Sequence, residues 1–582
     1  MTNSVFAAAQ AWHDQDPDAV TKAELAAVLA QAQSGDAAAL RDLTERFTGQ
    51  LEFGTAGLRG VLGAGPQRMN RVLVRKVSAG LAAYLVANVP NATSRGVVLG
   101  YDGRRNSLVF AHDTARVLAG AGFKVYVAHR PWPTPTTAWC VERFGAAAGV
   151  MVTASHNPPE YNGYKVYWGN GAQIIPPHDN GIAAAIDAIG RTDTLVMPEF
   201  ATLERTSGSS ERGHVEILDE SVHAEYMAAV NALRVGAAPH RELVIAYTAL
   251  HGVGAISVEA GLATAGFTHV HSEPSQRDPD GEFPTVAFPN PEEKGAMDRV
   301  LDLARKVTAD LVLANDPDAD RLCVAVPTSP GQFQLLSGDQ VGALLADYLL
   351  QPGGGSQRMV ATTVVSSQLL GFLAQAAGVA YRETLTGFKW IANAALEYEA
   401  ATGGAFVMGY EEALGYSVGP LVRDKDGVSA CVIFAELTAW NRAQGRTVLA
   451  HLEDIYRRVG LFVTEQVSLT MPGSEGLAAI AAMMKRVRGA LPTQLGAYTV
   501  RETVDLAAAS DAGLPPSNVL IFRLDGGHRV IMRPSGTEPK LKSYYEVRVV
   551  IGAGETIAAA TARGRAELVA LRDAHQALLK QQ

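Results

Sequence analysis

Two short polar segments of this chain carry residue types that can perform chemistry, and each follows an apolar run. TASHNP at 153–158 presents Ser155 after the run at 146–152. DPDADR at 316–321 presents three carboxylates after the run at 311–314. Open α/β sheets place their reacting groups at the carboxyl ends of such strands. A serine together with a carboxylate cage for a divalent metal suggests phosphoryl transfer.

The serine segment does not match the nucleophile elbow of serine hydrolases. That motif needs glycine two residues before and two residues after the serine, and Thr153 and Asn157 stand there. Because serine and asparagine are also common turn residues, a purely structural turn stays open for this segment taken alone.

The acidic segment begins like an EF-hand loop, but the rest of that motif is missing. Arg321 stands where glycine is needed, and Pro327 stands where a bidentate glutamate is needed. A solvated acidic turn and the nucleophilic aspartate of a phosphatase are the other interpretations. The apolar run at 322–326 weakens the first of them. Three carboxylates held between two strands repel one another unless a cation lies among them.

A loop near the C-terminus has the composition of a phosphate site. RPSGTEPK at 533–540 combines Arg533 with the hydroxyls of Ser535 and Thr537 and with Gly536. A phosphate group suits a bidentate guanidinium and hydroxyl donors on a backbone that can approach closely. An isolated loop of this kind is more often a plain turn.

Three other glycine-bounded segments carry charged side chains. GTAGLRG at 54–60 frames Arg59, and TGFK at 386–389 supplies Lys389. GYEEALGY at 409–416 places Glu411 beside Glu412. Adjacent acids are often a solvated face, but carboxylates also bind sugar hydroxyls.

Several classes of function are excluded or disfavoured. The chain has no Gly-x-x-x-x-Gly-Lys-Ser/Thr segment, and Gly252-Val253-Gly254 meets Ser257 where a dinucleotide fingerprint needs glycine. Dependence on ATP or NAD is therefore unsupported. The formal net charge of -9 gives no general attraction to nucleic acid or to anionic membranes.

The cysteines and the N-terminus predict a cytoplasmic protein. Only three cysteines occur in the 582 residues, which argues against a disulfide framework and for a reducing compartment. No basic stretch followed by an apolar one marks a secretory signal near the start. The uncharged stretch 359–381 contains threonine, serine and glutamine, and it predicts a buried strand followed by a helix.

These segments require a multidomain α/β framework to position them. Residues 1–48 predict helices, interrupted at Asp16-Pro17-Asp18, with a capping box from Thr21 to Glu24. Helical and β-branched stretches then alternate through three similar doubly wound α/β domains, followed by a smaller α+β domain. We predict a helical extension at 1–48 and domains at 49–214, 215–330, 331–465 and 466–582.

The order and spacing of these loops resemble the α-D-phosphohexomutase superfamily across essentially the whole chain. LEFGTAGLRG at 51–60, PNPEEKG at 289–295 and the DPD region at 16–18 look most like its phosphoglucomutase-2 type, which includes phosphopentomutases. The resemblance implies four domains around a central cleft, each contributing one loop: in chain order the phosphoserine, metal, sugar-binding and phosphate-binding loops.

The resemblance also implies roles for individual residues. Ser155 would be the phosphoserine, and His156 and Lys165 would assist proton transfer beside it. Mg²⁺ would be held by a phosphoserine oxygen and by Asp316, Asp318 and Asp320. Arg59, a further catalytic residue, would steady the reacting phosphate and sugar together with Arg321. The other substrate contacts would come from Lys389, Glu411, Glu412, Arg533, Ser535, Gly536 and Thr537.

The implied enzyme is an isomerase that interconverts glucose 1-phosphate and glucose 6-phosphate through glucose 1,6-bisphosphate. Many relatives carry serine where Ala413 stands, so specificity for pentose or mannose phosphates stays open. A glucose 1,6-bisphosphate synthase and an inactive sugar-phosphate sensor are further alternatives. The intact Ser155 and its partners argue against the sensor. Sugar phosphates are the expected partners, without nucleic acid or membrane, and both a monomer and a dimer stay open.

Overall fold

The computed structural model describes residues 2–52, 57–199, 208–210, 213–236, 241–351, 355–471, 473–507, 515–535 and 540–580. The chain forms two compact units, neither of them continuous in sequence. Unit 1 contains Met1–Leu336 and Leu414–Ala443, and unit 2 contains Ser337–Ala413 and Gln444–Gln582.

Three helices open unit 1: α1 (Thr2–Gln15), α2 (Ala19–Gln33) and α3 (Ala37–Phe47). The predicted helical extension is therefore confirmed, but the predicted capping box is wrong. Helix α2 is capped by Asp18, whose carboxylate accepts the N–H of Val20. The hydroxyl of Thr21 instead donates to Asp16 at 2.7 Å, and Glu24 pairs with Arg46 at 2.5 Å.

The first sheet belongs to unit 1 and has the strand order β1-β5-β4-β2-β3-β7-β6. Its elements are β1 (Leu58–Val61), α4 (Arg71–Asn88), α5 (Ala92–Arg95), β2 (Val97–Tyr101), α6 (Ser107–Gly120), β3 (Lys124–Ala128), α7 (Thr134–Arg143), β4 (Ala148–Val152), β5 (Tyr161–Trp168), α8 (His178–Asp187), β6 (Gly208–Ser210) and β7 (Gly213–Leu218). Strands β3, β2 and β4 are parallel neighbours, and β2 and β4 are wholly buried. Such continuous apolar runs are what a sheet covered on both faces requires.

The second sheet, also in unit 1, has the order β12-β11-β10-β8-β9. Its elements are α9 (Glu220–Ala232), β8 (Val244–Thr248), α10 (Gly254–Thr264), β9 (His269–Ser272), α11 (Asp298–Val307), β10 (Leu311–Ala314), β11 (Cys323–Ser329) and β12 (Gln332–Leu335). Strand β10 runs parallel to β8 and antiparallel to β11. The acidic segment therefore joins two central strands, as the sequence predicts.

Unit 2 begins with a third α/β layer in which β14, β13 and β15 are parallel neighbours. Its elements are α12 (Gly338–Leu350), β13 (Arg358–Thr363), α13 (Leu369–Ala377), β14 (Ala380–Thr384), α14 (Phe388–Thr402) and β15 (Ala405–Glu411). The stretch 359–381 thus folds as the predicted strand and helix. Within the described ranges, no helix combines the length and the apolar character that a membrane span requires.

The chain returns to unit 1 for β16 (Gly415–Val418) and α15 (Gly427–Ala443). Helix α15 packs against α9 and α10. A Cβ atom on Gly261 of α10 would lie 2.8 Å from Val432 of α15, so the two helices approach closely at this glycine. Arg234 binds the buried carboxylate of Glu436 at 2.7 Å.

The rest of unit 2 is a helix-covered sheet of largely antiparallel strands in the order β17-β22-β21-β20-β19-β18. Its elements are α16 (Val448–Val459), β17 (Leu461–Thr470), α17 (Gly473–Gly489), β18 (Gln494–Leu495), β19 (Tyr498–Asp505), β20 (Leu520–Leu524), β21 (Arg529–Pro534), β22 (Lys540–Val549) and α18 (Ile557–Lys580). The predicted succession of three α/β layers and a smaller α+β domain is confirmed.

Three of the four predicted domain boundaries fall within a strand or a hairpin of these sheets, and the one at 48/49 follows the end of α3. Residue 214 lies in β7, which pairs with β3 of the first sheet, and residue 330 lies in the turn of the β11–β12 hairpin. Residue 465 lies in β17, the edge strand of the last sheet. Turn-rich composition marks hairpin turns as well as domain breaks, so the division of the chain at these residues stays a prediction.

Candidate active site

Ser155 lies in the loop after β4, in a strained backbone conformation. Its φ is +52°, a value that residues with a side chain rarely adopt. The hydroxyl of Thr153 accepts the N–H of Ser155 at 2.9 Å and donates to the buried carboxylate of Asp102 at 2.6 Å. Asp102 directly follows β2, so two neighbouring parallel strands hold this turn.

The guanidinium of Arg104 braces the same loop from the other side. It donates to the carbonyl oxygens of Ser155 and Asn157, each at 2.5 Å, and to that of Pro158 at 2.9 Å. It also pairs with Asp102 at 3.3 Å. Three carbonyl oxygens of the loop are therefore held by one buried cation, which keeps Ser155 in place.

The hydroxyl of Ser155 points toward the acidic segment of the second sheet. Its Oγ donates to Oδ2 of Asp316 at 3.0 Å and lies 3.1 Å from Nδ1 of His156. The pKa of His156 lies well below its usual value because the ring is buried and because Arg321 and Arg59 are close. A neutral imidazole next to the serine can accept its proton.

Asp316, Asp318 and Asp320 are brought together in the loop after β10. All three are fully buried, and one carboxylate oxygen from each lies within 4.8 Å of the others. Burial and the other two aspartates raise the pKa of Asp316 well above its usual value. The pKa of Asp320 is lowered, since Lys165, Lys425 and Arg321 outweigh the effect of burial.

The donor set of this loop fits a hard divalent cation. Oδ1 of Asp318 and Oδ1 of Asp320 are buried and have no hydrogen-bond partner among the described residues. Carboxylate oxygens are the ligands that such cations prefer. A cation here would satisfy both orphaned oxygens and relieve the repulsion that raises the pKa of Asp316.

Lys165 reaches the same cluster from β5. Its Nζ donates to Asp318 at 2.8 Å and to Asp320 at 3.0 Å, and the side chain is buried. Burial alone would lower its pKa, but the two carboxylates outweigh burial and raise it. A lysine can act as a general base near neutral pH only if its pKa is lowered. The pKa of Lys165 is raised instead, so in this arrangement its side chain is an ammonium.

Two arginines predicted from the sequence also lie here. Arg59 of β1 donates to the side-chain oxygen of Asn157 at 2.9 Å, and burial lowers its pKa to about 10. The N–H of Arg321 donates to Asp316 at 3.1 Å, and its guanidinium lies 3.7 Å from Glu292. Both guanidinium groups therefore border the space beside Ser155, where they can meet an anionic phosphate.

The structure adds side chains that sequence reasoning missed. Lys425 lies 3.2 Å from Asp320, and its neighbour Asp424 accepts from Tyr167 at 2.8 Å. The hydroxyl of Thr134 donates to Asp318 at 2.6 Å. The alternating charges of RDKDG at 423–427, before an apolar helix, could have indicated that Lys425 belongs to a site. No local pattern in the sequence marks Thr134 in this way.

The remaining predicted residues belong to unit 2. Glu411 accepts the N–H of Gly387 at 2.8 Å, and Arg533 donates to the hydroxyl of Thr386 at 2.6 Å. Glu412 accepts from the hydroxyl of Ser366 at 2.8 Å. The loop at 386–387 is thus held by one acid and one arginine from the predicted set.

Two further predicted positions in unit 2 are described, and two are not. Lys389 is buried, with its Nζ 5.6 Å from the ring centre of Trp390. The N–H of Ser535 donates to the carbonyl of Lys540 at 2.8 Å, which closes the loop. Gly536 and Thr537 lie outside the described residues.

The fold and the serine–aspartate site define a class: multidomain α/β enzymes that transfer phosphoryl groups. The chain belongs to the phosphoglucomutase/phosphomannomutase family. The descriptions "Phosphoglucomutase/phosphomannomutase, alpha/beta/alpha domain" I, II and III match residues 50–193, 224–331 and 337–459. It is therefore a mutase of the isomerase class, in agreement with the resemblance read from the sequence.

Individual relatives carry different sugar names. The chain is 40% identical to "Probable phosphomannomutase" of Haemophilus influenzae, over 82% of this chain and 93% of that protein. It is 37% identical to "Probable phosphoribomutase" of Schizosaccharomyces pombe, over 92% of each chain. It is 36% identical to "Phosphoglucomutase" of Staphylococcus epidermidis, over 85% of this chain and 90% of that protein.

A solved structure agrees with the fold. The chain matches the open form of pp63/parafusin from Paramecium with a TM-score of 0.69 at 19% identity, over 91% of this chain and 96% of that one. The likeness at this identity supports the fold alone.

Proposed function

We propose that this chain is a phosphoglucomutase that interconverts glucose 1-phosphate and glucose 6-phosphate. The observation that carries the proposal is the position of Ser155 Oγ, 3.0 Å from Asp316 at a buried cluster of three aspartates. A serine so placed suits a phosphoryl carrier better than the aspartate nucleophile of a phosphatase, which leaves Ser155 without a role. The cytoplasmic location stays a prediction.

The proposed reaction has two transfers. In the first, the bond from Ser155 Oγ to phosphorus breaks and a bond from the 6-oxygen of glucose 1-phosphate to the same phosphorus forms. The proton of the 6-hydroxyl ends on the serine oxygen, which becomes a hydroxyl again. In the second, Ser155 Oγ attacks the phosphorus of the 1-phosphate of glucose 1,6-bisphosphate and the bond from that phosphorus to the sugar 1-oxygen breaks. The 1-oxygen takes up a proton, and glucose 6-phosphate leaves. Neutral His156, 3.1 Å from Oγ, is the group placed to take the serine proton in that second step.

Asp316, Asp318 and Asp320, with the phosphoserine, are the proposed holders of Mg²⁺. Bound there, Mg²⁺ supplies a Lewis acid for the phosphoryl oxygens. The ammonium of Lys165 supplies fixed positive charge at the same place, and Arg59 and Arg321 neutralise the transferring phosphate. Water must be excluded between the two transfers, since hydrolysis would waste the bisphosphate.

The residues of unit 2 are proposed to bind the sugar and the phosphate that does not react. Lys389, Glu411 and Glu412 offer a cation and two carboxylates for sugar hydroxyls. Arg533, Ser535, Gly536 and Thr537 offer the donors that a phosphate group needs.

A second candidate is a phosphopentomutase acting on ribose 1-phosphate. Ala413 follows Glu412 where many relatives carry serine, so one hydroxyl that would bind a hexose is absent. The likeness to the Schizosaccharomyces pombe protein supports the same alternative.

The test compares initial rates on glucose 1-phosphate, mannose 1-phosphate and ribose 1-phosphate, with Mg²⁺ and a trace of glucose 1,6-bisphosphate. We expect glucose 1-phosphate to give the highest kcat/KM, and we expect EDTA to abolish turnover. A preference for ribose 1-phosphate or mannose 1-phosphate would replace the glucose assignment with that sugar. Turnover that persists in EDTA would contradict the metal-dependent scheme.

A covalent label separates the serine carrier from an aspartate carrier. The enzyme incubated with ³²P-labelled glucose 1,6-bisphosphate should carry acid-stable label on Ser155. Ser155→Ala should lose both label and turnover, and its melting temperature should stay close to that of the wild type, which shows that the fold survives. Label retained in Ser155→Ala would refute the phosphoserine.

A further inference from the structure

We propose that Thr134 is a positioning residue for Asp318. It orients the carboxylate of Asp318 so that Oδ1 faces the cation. The inference rests on the Mg²⁺ assignment made under the proposed function. Thr134 lies on helix α7 beside the first sheet. Asp318 lies in the acidic loop of the second sheet, 184 positions further along the chain.

Thr134 donates hydrogen bonds to Asp318 from both its side chain and its backbone. Its Oγ1 donates to Oδ2 of Asp318 at 2.6 Å, and its N–H donates to the carbonyl oxygen of Asp318 at 2.9 Å. Thr134 is fully buried and is the first residue of α7. Pro133 and Pro135 flank it, and their fixed φ angles leave its backbone little freedom.

The two oxygens of Asp318 consequently differ. Oδ2 accepts from Thr134 and also from Nζ of Lys165 at 2.8 Å. Oδ1 is buried and has no hydrogen-bond partner in the described part of the chain. A carboxylate with one oxygen occupied by two donors presents the other oxygen to a cation, and partners of this kind orient metal ligands.

Lys165 alone would not fix this orientation. Its ammonium is shared with Asp320 at 3.0 Å and sits on a long, rotatable stem. The short hydroxyl of Thr134, on a helix start that also holds the Asp318 backbone, sets the rotation of the carboxylate. A purely structural tie would lower stability when it is cut, whereas a positioning contact lowers affinity for the cation.

The experiment measures Mg²⁺ binding to the full-length, metal-free protein, prepared with Ser155 phosphorylated, by isothermal titration calorimetry. Thr134→Val keeps the shape and removes the hydroxyl. We expect its Kd for Mg²⁺ to rise by about 10- to 100-fold, the range found when partners of metal ligands are removed. Thr134→Ser keeps the hydroxyl and should bind Mg²⁺ as the wild type does.

Thr136→Val is the matched control. Thr136 lies two residues further along α7 and is equally buried, and its hydroxyl has no hydrogen-bond partner among the described residues. Its replacement should leave the Kd for Mg²⁺ unchanged. Thr134→Ala, which relieves any crowding by the added methyl group, provides the same comparison if the valine variant does not fold.

The outcomes separate the two proposals. A Kd for Mg²⁺ in Thr134→Val or Thr134→Ala within twofold of the Thr136→Val value would overturn the role of Thr134. An equal loss of affinity in Thr134→Ser would overturn it too, because the hydroxyl is then not the cause. A wild-type protein that binds no Mg²⁺ would instead remove the metal assignment of the proposed function.

Discussion

Ser155 keeps a left-handed backbone because its neighbours leave it no alternative. Thr153 holds its N–H, and Arg104 holds its carbonyl oxygen. Strain of this kind costs on the order of 1–3 kcal/mol and persists only where the surroundings fix it. We therefore propose that these contacts position the reacting hydroxyl, although neither Thr153 nor Arg104 would itself touch the phosphoryl group.

Arg104→Lys tests this brace. A lysine keeps the charge beside Asp102 but cannot donate to several loop carbonyls at once, so the hydroxyl of Ser155 should lose its position. We expect kcat to fall by roughly 10- to 100-fold, the effect of misplacing a reacting group by about 1 Å, with little change in KM. Steady-state kinetics measure both.

Arg105→Lys is the control for this substitution. Arg105 is the next residue, is exposed and pairs with Glu282, so its replacement should leave kcat unchanged. Equal kinetic constants for Arg104→Lys and the wild type would show that the loop holds its own shape.

At this scale the sequence predicted the reacting groups but not the residues that hold them. Ser155 and the three aspartates stand in short segments after apolar runs, so their juxtaposition followed from strand ends. Thr134 acts over a long sequence separation, and nothing in its local pattern marks it. The raised pKa of Lys165 was likewise unpredictable, since it depends on two carboxylates from another sheet.

Among the elements, helices α1 to α3 form a small hydrophobic cluster, to which Ala64 also belongs. Leu25, Leu29 and Leu43 are its largest buried side chains, and Phe6, Trp12 and Phe47 pack against them. None of the predicted site residues lies on these helices. The cluster therefore contributes stability that can be altered without touching the chemistry.

Leu43→Ala tests this separation. Removing a buried leucine side chain costs about 2–5 kcal/mol, so the first unfolding transition in urea should move to lower concentration. The kcat at 20 °C should remain at the wild-type value. Val20→Ala, at a side chain that is 76% exposed on the neighbouring helix, should shift neither. A fall in kcat with Leu43→Ala would link the extension to the site.

The sequence predicted strands correctly where every residue of the strand is buried. It misplaced a helix start where two polar residues could each have capped the helix. The strand at Leu311–Ala314 was predicted residue for residue, because four apolar residues directly before an acidic turn leave little choice. The start of α2 was misplaced by a few residues because Asp18 and Thr21 are both good caps. Asp18 is the residue that caps the helix, because the hydroxyl of Thr21 donates to Asp16 instead.

On the scale of the whole molecule, Asp339 gives unit 2 a dependence on pH. Burial raises the pKa of Asp339 to about 7, with Glu412 and Glu546 adding to the effect and hydrogen bonds from Ser367 and Tyr410 opposing it. Between pH 4 and 7 the folded carboxyl holds a proton that the unfolded one has released. Unfolding therefore releases a proton and is favoured by raising the pH.

Asp339→Asn should remove this slope. Its side-chain oxygen can still accept from Ser367 and Tyr410, but it does not titrate. We expect the free energy of unfolding of unit 2 to fall with rising pH in the wild type, by at most about 1.4 kcal/mol per pH unit, and to fall less in the variant. Denaturant titrations from pH 4.5 to 7.5 measure this, with the exposed-site variant Glu397→Gln as control. Parallel profiles for wild type and Asp339→Asn would contradict it.

The interruption of unit 1 by residues 337–413 matters while the protein is being made. Helix α15, which packs on α9 and α10 and whose Glu436 binds Arg234, leaves the ribosome only after the whole interrupting segment. At usual rates of translation that delay is on the order of ten seconds. For that time the nascent chain exposes an apolar helix surface, the kind of surface that chaperones bind during synthesis.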